Sequence, residues 1–136
     1  MRCSCFLMWA GVLSLVVACD QQAPWMGPED AKIVEGWPKT CDAAVDRILG
    51  ALDKTSVADL KKVKQEDLIA YHHGWGTGIR NDFGLWGGNT ELAVSCTKNS
   101  VLGIKSSLFR PPHPDDVSQE IINRVWLAVQ SKVQVE

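Results

Sequence analysis

Residues 114–130 read PDDVSQEIINRVWLAVQ, and this stretch has the clearest helical pattern in the chain. Its apolar residues recur every three or four positions, which predicts an amphipathic helix with one face against a core. These residues are Val117, Ile121, Val125 and Val129, widened by Ile122 and Trp126. Pro114 suits the first helical position, and Asp115 and Asp116 suit the positive end of the helix dipole.

Four more helices are predicted upstream of this one, three of them with an expected N-cap. Thr40 is the expected N-cap of a helix over TCDAAVDRILGAL, with Asp42 in its first turn. Thr55 or Ser56 is expected to cap a shorter helix over VADLKKV. Asn89 is expected to cap the helix TELAVSCTKN, and residues 99–114 are predicted to form a loop. Four apolar side chains are expected to hold that loop against the body: Val101, Leu102, Ile104 and Leu108.

The stretch HHGWGTGIRNDFGLW, residues 72–86, is predicted to continue a helix that begins at Gln65 and stops at Gly84. Helical spacing relates Leu68, His72, Trp75, Ile79 and Phe83. Three interior glycines would each cost about 1 kcal/mol relative to alanine, so close approach of a neighbouring helix is expected to offset them. The alternative is that the helix breaks here and offers backbone groups to a ligand. The following turn, LWGG, is expected to fold Leu85 and Trp86 onto the core.

No alternating β pattern and no internal repeat compete with these helices. The predicted fold class is all-α, a small orthogonal bundle of four to five short helices around one core.

The amino terminus predicts export. Met1 and Arg2 precede a thirteen-residue uncharged run, residues 6–18, which is shorter than the ~20 residues that span a bilayer. The run ends in LVVAC, which resembles the lipoprotein box of bacteria, where the signal is cut before a cysteine that receives lipid. Cleavage would leave Cys19 as the membrane anchor. An ordinary cleaved signal and an uncleaved anchor are the alternatives, and both also export the protein.

Three segments follow from this interpretation: a signal peptide over 1–18, a lipidated cysteine and tether over 19–39, and a single helical domain over 40–136. The expected location is the periplasmic face of the bacterial cell envelope, with the protein held in the membrane by lipid on Cys19. Asp20 resembles the signal that keeps lipoproteins of enteric bacteria in the inner membrane, and an inner-membrane assignment rests on it alone. Trp25 and Trp37 lie in the proline-containing tether and could touch the domain.

The chain has five cysteines, at positions 3, 5, 19, 41 and 96. The first two leave with the signal and the third carries the lipid. Cys41 and Cys96 remain, and in an oxidising compartment they are predicted to form a disulfide. A reactive thiol at Cys96 is the alternative, and no pair has the C-x-x-C spacing of a redox site.

The net charge of the chain argues against nucleic-acid binding. The chain has 14 Lys and Arg against 16 Asp and Glu, and loss of Arg2 with the signal leaves 13 against 16, a net charge near −3. The one basic cluster is Lys61, Lys62 and Lys64, which is expected to be a solvated helix face.

The polar residues admit two interpretations. In the structural one, the planar fork of Arg80 pairs with Asp115 or Asp116 and clamps the last helix onto the glycine-rich one, while Asn81 satisfies backbone groups of the turn. In the functional one, Arg80, Asn81 and His72 or His73 line a cleft for a polar or anionic ligand. The candidate ligand or clamp residues are therefore His72, Arg80, Asn81, Trp86, Asp115 and Asp116.

No metal site, cofactor or catalytic residue is predicted. Adjacent histidines on a helix point about 100° apart, and the H-E-x-x-H pattern of zinc proteases is absent. No G-x-S-x-G motif accompanies a serine nucleophile. An enzyme is the less favoured interpretation.

The segments GTGIRNDFGLWGGNTEL and HPDDVSQEII together resemble an uncharacterised bacterial domain family. That family carries a G-x-x-I-R-N-x-x-G-L-W segment and a later Pro-Asp-Asp segment before an Ile-rich helix. The resemblance covers Lys39 to Val129. Gly78 and Val117 depart from the family pattern, at positions expected to be packed. Because the family has no known function, it implies one compact domain and no reaction.

The sequence thus favours a membrane-tethered envelope lipoprotein that binds another protein, an immunity-type inhibitor included. An exposed apolar patch with Trp25, Trp37 or Trp86 would favour this role. The alternatives are a small-ligand binder or hydrolase with a polar cleft around His72, Arg80 and Asn81, and a purely structural envelope protein.

Overall fold

The computed structural model describes residues 36–105 and 111–131. The expectations for the signal peptide, Cys19, Asp20, Trp25 and Leu108 lie outside these residues. Within them the chain forms helices and no strand, which confirms the all-α class. The α-helices are α1 (Cys41–Ala51), α2 (Lys54–Lys62), α3 (Trp75–Asp82), α4 (Thr90–Thr97) and α5 (Pro114–Ser131), and a 3-10 helix (Gln65–Tyr71) precedes α3.

Helix α5 is the centre of the fold. It packs against α1, α2, α3, α4 and the 3-10 helix. Val117, Ile121, Ile122 and Val125 are all 0% exposed, so the predicted apolar face is the core. The helix begins at Pro114, as predicted. None of the helices in the described part of the chain combines the length and the apolar content needed to cross a membrane.

Two of the three predicted N-caps are confirmed. The Thr40 hydroxyl accepts a hydrogen bond from the Ala43 N–H (3.2 Å), and Asn89 Oδ1 accepts one from the Leu92 N–H (3.3 Å). Helix α2 begins earlier than predicted, because Asp53 is its N-cap and accepts from the Ser56 N–H at 2.7 Å. This hydrogen bond is the main reason why the pKa of Asp53 is lowered.

The prediction of one continuous helix from Gln65 to Gly84 is wrong. Residues 65–71 form a 3-10 helix, residues 72–74 form a turn, and α3 starts at Trp75 with Gly74 as its N-cap. The His72 N–H bonds the Ile69 carbonyl, three residues back, so the chain is wound too tightly to pass directly into α3.

The expected close approach of a neighbouring helix fails at two of the three glycines. A Cβ built on Gly74 or Gly78 would meet nothing within 4 Å, whereas one on Gly76 would lie 3.5 Å from Oγ of Ser118 in α5 and 3.0 Å from Nη1 of Arg80 in its own helix. The break does free backbone carbonyls, as the alternative proposed, but the chain itself occupies them. His72 O faces the Arg80 guanidinium, and the Thr77 hydroxyl donates to His73 O.

The turn after α3 is covered by Trp37, which was expected to be able to touch the domain, and not by Trp86. Gly84 has a φ of +68° and ends the helix, as predicted. Leu85 is buried, but Trp86 is 59% exposed, so the prediction that it folds onto the core is wrong. The ring of Trp37 instead covers Gly84 and Gly87, where a Cβ on either glycine would overlap it. The packed part of the chain therefore includes Trp37.

A disulfide joins Cys41 to Cys96, as predicted, and ties the first turn of α1 to α4. Both cysteines are almost fully buried, at 1% and 0% exposure. The alternative of a reactive thiol at Cys96 is thereby excluded. The Cys41 N–H donates to the Ser95 hydroxyl (3.0 Å) beside the bridge.

The loop after α4 is held by a buried carboxylate, and two of the apolar side chains that were expected to hold it, those of Val101 and Leu102, are exposed instead. Val101 and Leu102 are 46% and 43% exposed, but their N–H groups donate to Glu120, which is 0% exposed. Glu120 also accepts from the Ser100 hydroxyl and pairs with Arg124 (2.8 Å). Arg124 in turn donates to two carbonyls at the end of α4, those of residues 98 and 99.

Candidate functional site

Arg80 is the centre of a buried polar cluster where α3 meets α5. Only 6% of the residue is exposed. Its Nε lies 3.1 Å from Oδ1 of Asp115, an ion pair without the alignment of a hydrogen bond. Nη1 donates to the Ser118 hydroxyl (3.0 Å) and Nη2 to the Thr77 hydroxyl (3.0 Å). The guanidinium thus joins the two helices, which is the geometry of the structural interpretation.

Two histidines flank Asp115. His72 Nε2 lies 3.9 Å from Oδ1, and His113 Nδ1 lies 3.4 Å from Oδ2. The same His113 nitrogen accepts the Asp115 N–H (3.3 Å), so in this arrangement it has no proton to donate to the carboxylate. Asp116 is exposed and lies outside the Arg80 ion pair. Of the two acids that were candidates for Arg80, Asp115 is the one that pairs with it.

The remaining candidates lie at the surface. His73 is exposed and meets His72 edge to face, with ring centroids 5.1 Å apart. Trp86 meets His113 in the same way at 5.6 Å. Asn81 is exposed on another side of α3.

The turn backbone that Asn81 was predicted to satisfy is bonded by Asn89. The Asn89 amide donates to the carbonyls of Phe83 (2.8 Å) and Pro38 (2.9 Å), in addition to capping α4. Sequence reasoning identified the cap and missed these two bonds. The signal was available in principle, because an asparagine offers two donors beyond the oxygen used in a cap.

These positions do not form the polar cleft of the functional interpretation. His72 and Arg80 share Asp115, but Asn81 lies apart, and the donors of Arg80 are directed at protein groups. Within residues 36–105 and 111–131, no three His, Cys, Asp or Glu side chains gather in a way that could hold a metal ion.

A concave surface, a largely apolar groove of about 670 Å³, lies between α1 and α3. It is lined by Trp37, Arg47, Ile48, Ala51, Leu52, Trp75, Gly78, Ile79, Asn81, Asp82 and Phe83. Ile48, Ile79 and Phe83 are buried, while Trp37 and Trp75 are half-buried. Beyond Trp75 and Leu52 the surface continues into a second hollow of about 350 Å³ beside Tyr71 and Leu60.

Gly78 keeps part of this groove open. It lies inside α3, where glycine costs about 1 kcal/mol relative to alanine. The sequence placed Gly78 at a packed position, but a Cβ there would meet nothing within 4 Å and would project into open space. Packing among the described residues therefore does not explain this glycine.

Three exposed polar residues edge the groove: Arg47, Asn81 and Asp82. Arg47 Nη1 donates to the Gly36 carbonyl (2.8 Å), and its guanidinium lies 5.7 Å from the centre of the Phe83 ring. The side chain of Asn81 is exposed and makes no hydrogen bond to another residue of the described ranges. A concave apolar surface with a few polar groups at its edge has the general character of a binding site.

No curated protein and no solved structure matches the chain significantly. A family model does match, over residues 37–128. The match begins at Trp37 and includes the groove, the Arg80 cluster and both cysteines of the disulfide. The resemblance to an uncharacterised family is thereby confirmed, and the chain belongs to the family described as Domain of unknown function (DUF6794).

Proposed function

We propose that the protein is a lipoprotein of the bacterial cell envelope, anchored through lipid on Cys19 and facing the periplasm, whose helical domain binds another protein. The first nineteen residues support the anchor, and Asp20 favours the inner membrane. The buried Cys41–Cys96 disulfide supports an oxidising compartment, because structural disulfides are rare in the reducing cytosol.

The groove between α1 and α3 is the observation that carries the binding role. Its lining is mainly aromatic and aliphatic and includes three polar residues, a mixture that protein-binding surfaces also show. Trp37, one of the three tryptophans expected in an exposed apolar patch, lines the groove and is half-buried.

The rival roles have less support. A small-ligand site or hydrolase around His72, Arg80 and Asn81 requires an Arg80 free of aspartate and one cavity for all three residues. Arg80 is paired with Asp115, and Asn81 lines a groove that includes neither of the other two. A purely structural role would leave the glycine in the groove floor without an explanation.

Anchoring is tested by labelling cells with a palmitate analogue. The parent protein should incorporate the label and sediment with membranes, while Cys19→Ser should do neither. Recovery of the parent from the cytosol with Met1 and no acyl mass would disprove the proposal.

Binding is tested by chemical cross-linking in intact cells with a matched pair of variants. Gly78→Leu places a side chain in the groove. Gly50→Leu is the control, since it places the same side chain on an exposed part of α1 that does not line the groove. A Cβ on Gly50 would also meet nothing within 4 Å. A partner should be captured by the parent and by Gly50→Leu but not by a folded Gly78→Leu. Equal capture by all three would remove the groove from the binding role.

A further inference from the structure

A further hollow, of about 420 Å³, lies where α5, the 3-10 helix and the loop after α4 meet. It is lined by Gln65, Glu66, Ile69, Leu102, Gln119 and Asn123. We call this surface the amide hollow, because three of these six residues carry a carboxamide. None of the six lines the groove between α1 and α3, so the two surfaces are separate.

The α5 side of the amide hollow has a buried hydrogen-bond acceptor that no other group uses. Gln119 and Asn123 lie one turn apart on α5, which places their side chains on the same face. Asn123 is 3% exposed, and its Nδ2 donates to the backbone carbonyl of Gln119 (3.0 Å). Oε1 of Gln119 is buried and accepts no hydrogen bond within the described part of the chain. Buried polar atoms of folded proteins nearly always have a partner, so this oxygen indicates a ligand that donates a hydrogen bond.

Two apolar side chains stand at the hollow and face solvent. Ile69 is 65% exposed and Leu102 is 43% exposed. Their backbones are already fixed, because the Leu102 N–H donates to buried Glu120 (3.1 Å) and the Ile69 carbonyl accepts from the His72 N–H (3.0 Å). A ligand would therefore lose little free energy in ordering this site. The ligand that fits has an apolar group close to its hydrogen-bond donor.

Charge narrows the ligand further. Glu66 is the one charged residue among those that line the hollow, and it is exposed. No ion pair joins it to another residue of the described ranges. Its carboxylate repels anions and attracts cations. An extended peptide segment with a basic residue combines all three properties, since its main-chain N–H groups are free to donate, whereas those of a helix are used internally.

We propose that the amide hollow binds an extended, basic peptide segment of a partner protein. A main-chain N–H of the segment donates to Oε1 of Gln119, an apolar side chain lies against Ile69 and Leu102, and a lysine or arginine lies near Glu66. The hollow is a second binding site, and it does not depend on the role proposed for the groove.

The test titrates ¹⁵N-labelled full-length protein, purified in detergent, with the capped peptide acetyl-Leu-Ala-Lys-amide. The side-chain NH₂ signals of Gln119 and Asn123 should shift in a saturable way. Methylation of the peptide nitrogens, one at a time, should weaken binding about tenfold at one position, where the donated hydrogen is lost. Acetyl-Leu-Ala-Glu-amide should bind less tightly at low salt, and Glu66→Gln should remove that difference.

Protein variants test the same contact from the other side. Gln119→Leu removes the acceptor and should weaken binding about tenfold, followed by the signal of Asn123. Asn81→Leu is the matched control, since it makes the same kind of replacement at an exposed carboxamide outside the hollow. If Gln119→Leu does not fold, Ile69→Ser serves instead, because the Ile69 side chain is exposed and its replacement leaves the core intact.

Three results would overturn the proposal. They are Gln119 and Asn123 signals that no peptide concentration moves, equal affinity for the parent peptide and all its methylated forms, and binding that survives both Gln119→Leu and Ile69→Ser. The first would leave the hollow to water. Gly78-dependent capture of a partner together with any of these results would retain the proposed function and reject the amide hollow as a peptide site.

Discussion

Gly76 and Arg80 lie one turn apart on α3, and a Cβ on Gly76 would come within 3.0 Å of Nη1 of Arg80. The same guanidinium is held by Ser118 and Asp115 of α5, so it has little freedom to move aside. Gly78, in the same helix, faces open space. A side chain at position 76 would therefore crowd Arg80, whereas one at position 78 would meet no neighbour.

Substitution by alanine should therefore change the free energy of unfolding differently at positions 76 and 78. Gly78→Ala should raise the free energy of unfolding by about 1 kcal/mol, because alanine favours the helix and meets no neighbour. Gly76→Ala should lose that gain, because its methyl group displaces Arg80. Urea unfolding with the disulfide intact measures both. An equal gain at the two positions would show that Gly76 does not make room for Arg80.

Removing the guanidinium should loosen α5 from α3. Arg80→Ala should lower the free energy of unfolding by about 2 kcal/mol, since Ser118 and Thr77 lose a partner and Asp115 loses its counter-charge. The half-exposed position of Asp115 keeps this below the cost of breaking a fully buried pair. Asp116→Asn is the matched control and should change stability by no more than about 0.5 kcal/mol. Equal melting temperatures for Arg80→Ala and the parent would contradict the clamp.

Glu120→Gln tests the buried carboxylate. A glutamine replaces one carboxylate oxygen by an NH₂ group, which cannot accept the hydrogen bonds that Glu120 accepts. We therefore expect the free energy of unfolding to fall by about 2–4 kcal/mol. Amide exchange at Val101 and Leu102 should become faster, because both N–H groups donate to this carboxylate. Glu91→Gln is the control, since the Glu91–Lys39 pair is exposed and worth less than about 1 kcal/mol. Unchanged exchange in Glu120→Gln would show that the carboxylate does not hold the loop.

Truncation of Trp37, which covers the glycine turn, and of Trp86, which lies in it, should change the stability of the protein to different extents. Trp37→Ala uncovers Gly84 and Gly87 and should lower the free energy of unfolding by about 2 kcal/mol. This loss is smaller than that expected for a fully buried ring, because Trp37 is only half-buried. Trp86→Ala removes a mostly exposed ring and should cost no more than about 0.5 kcal/mol. Thermal unfolding of both variants decides the point. A larger loss for Trp86→Ala would assign it the packing role that the sequence predicted.

The disulfide should be a main source of stability. It joins residues 55 positions apart, and restricting an unfolded chain over such a loop is worth about 4 kcal/mol in the entropy treatment. The double variant Cys41→Ala, Cys96→Ala should therefore unfold at much lower urea concentration than the parent. The parent measured in reducing agent should approach the double variant. A difference below about 1 kcal/mol would mean that the unfolded chain is already restricted without the bridge.

The sequence predicted the helices whose ends carry strong local signals. Hydrogen bonding and backbone geometry within a single turn determine where a helix starts at Thr40, Asn89 and Pro114. These starts could therefore be predicted without tertiary information. The break at residues 72–74 was missed because Leu68, Trp75, Ile79 and Phe83 continue a helical spacing across it. Spacing alone does not distinguish one helix from two that bury the same side.

The site was harder to predict, because its contacts join distant parts of the chain. Glu120 was not among the residues singled out from the sequence, yet it lies three residues after Val117, on the apolar side of the helix. That position was the available signal for a buried acid. The groove depends on Trp37, Arg47 and Gly78 coming together from three segments, and no local pattern encodes such a meeting.

The place of the disulfide has a mechanical consequence. A pull on the amino-terminal end of the domain passes Thr40 and reaches Cys41, the first residue of α1, where the covalent bridge transfers the load to Cys96 in α4. The chain between the two cysteines, which includes most of the groove, is bypassed by that load and cannot be drawn out. Tension between the two ends of the domain would instead act on the residues before Cys41, including Trp37, and on the chain after Cys96, including α5.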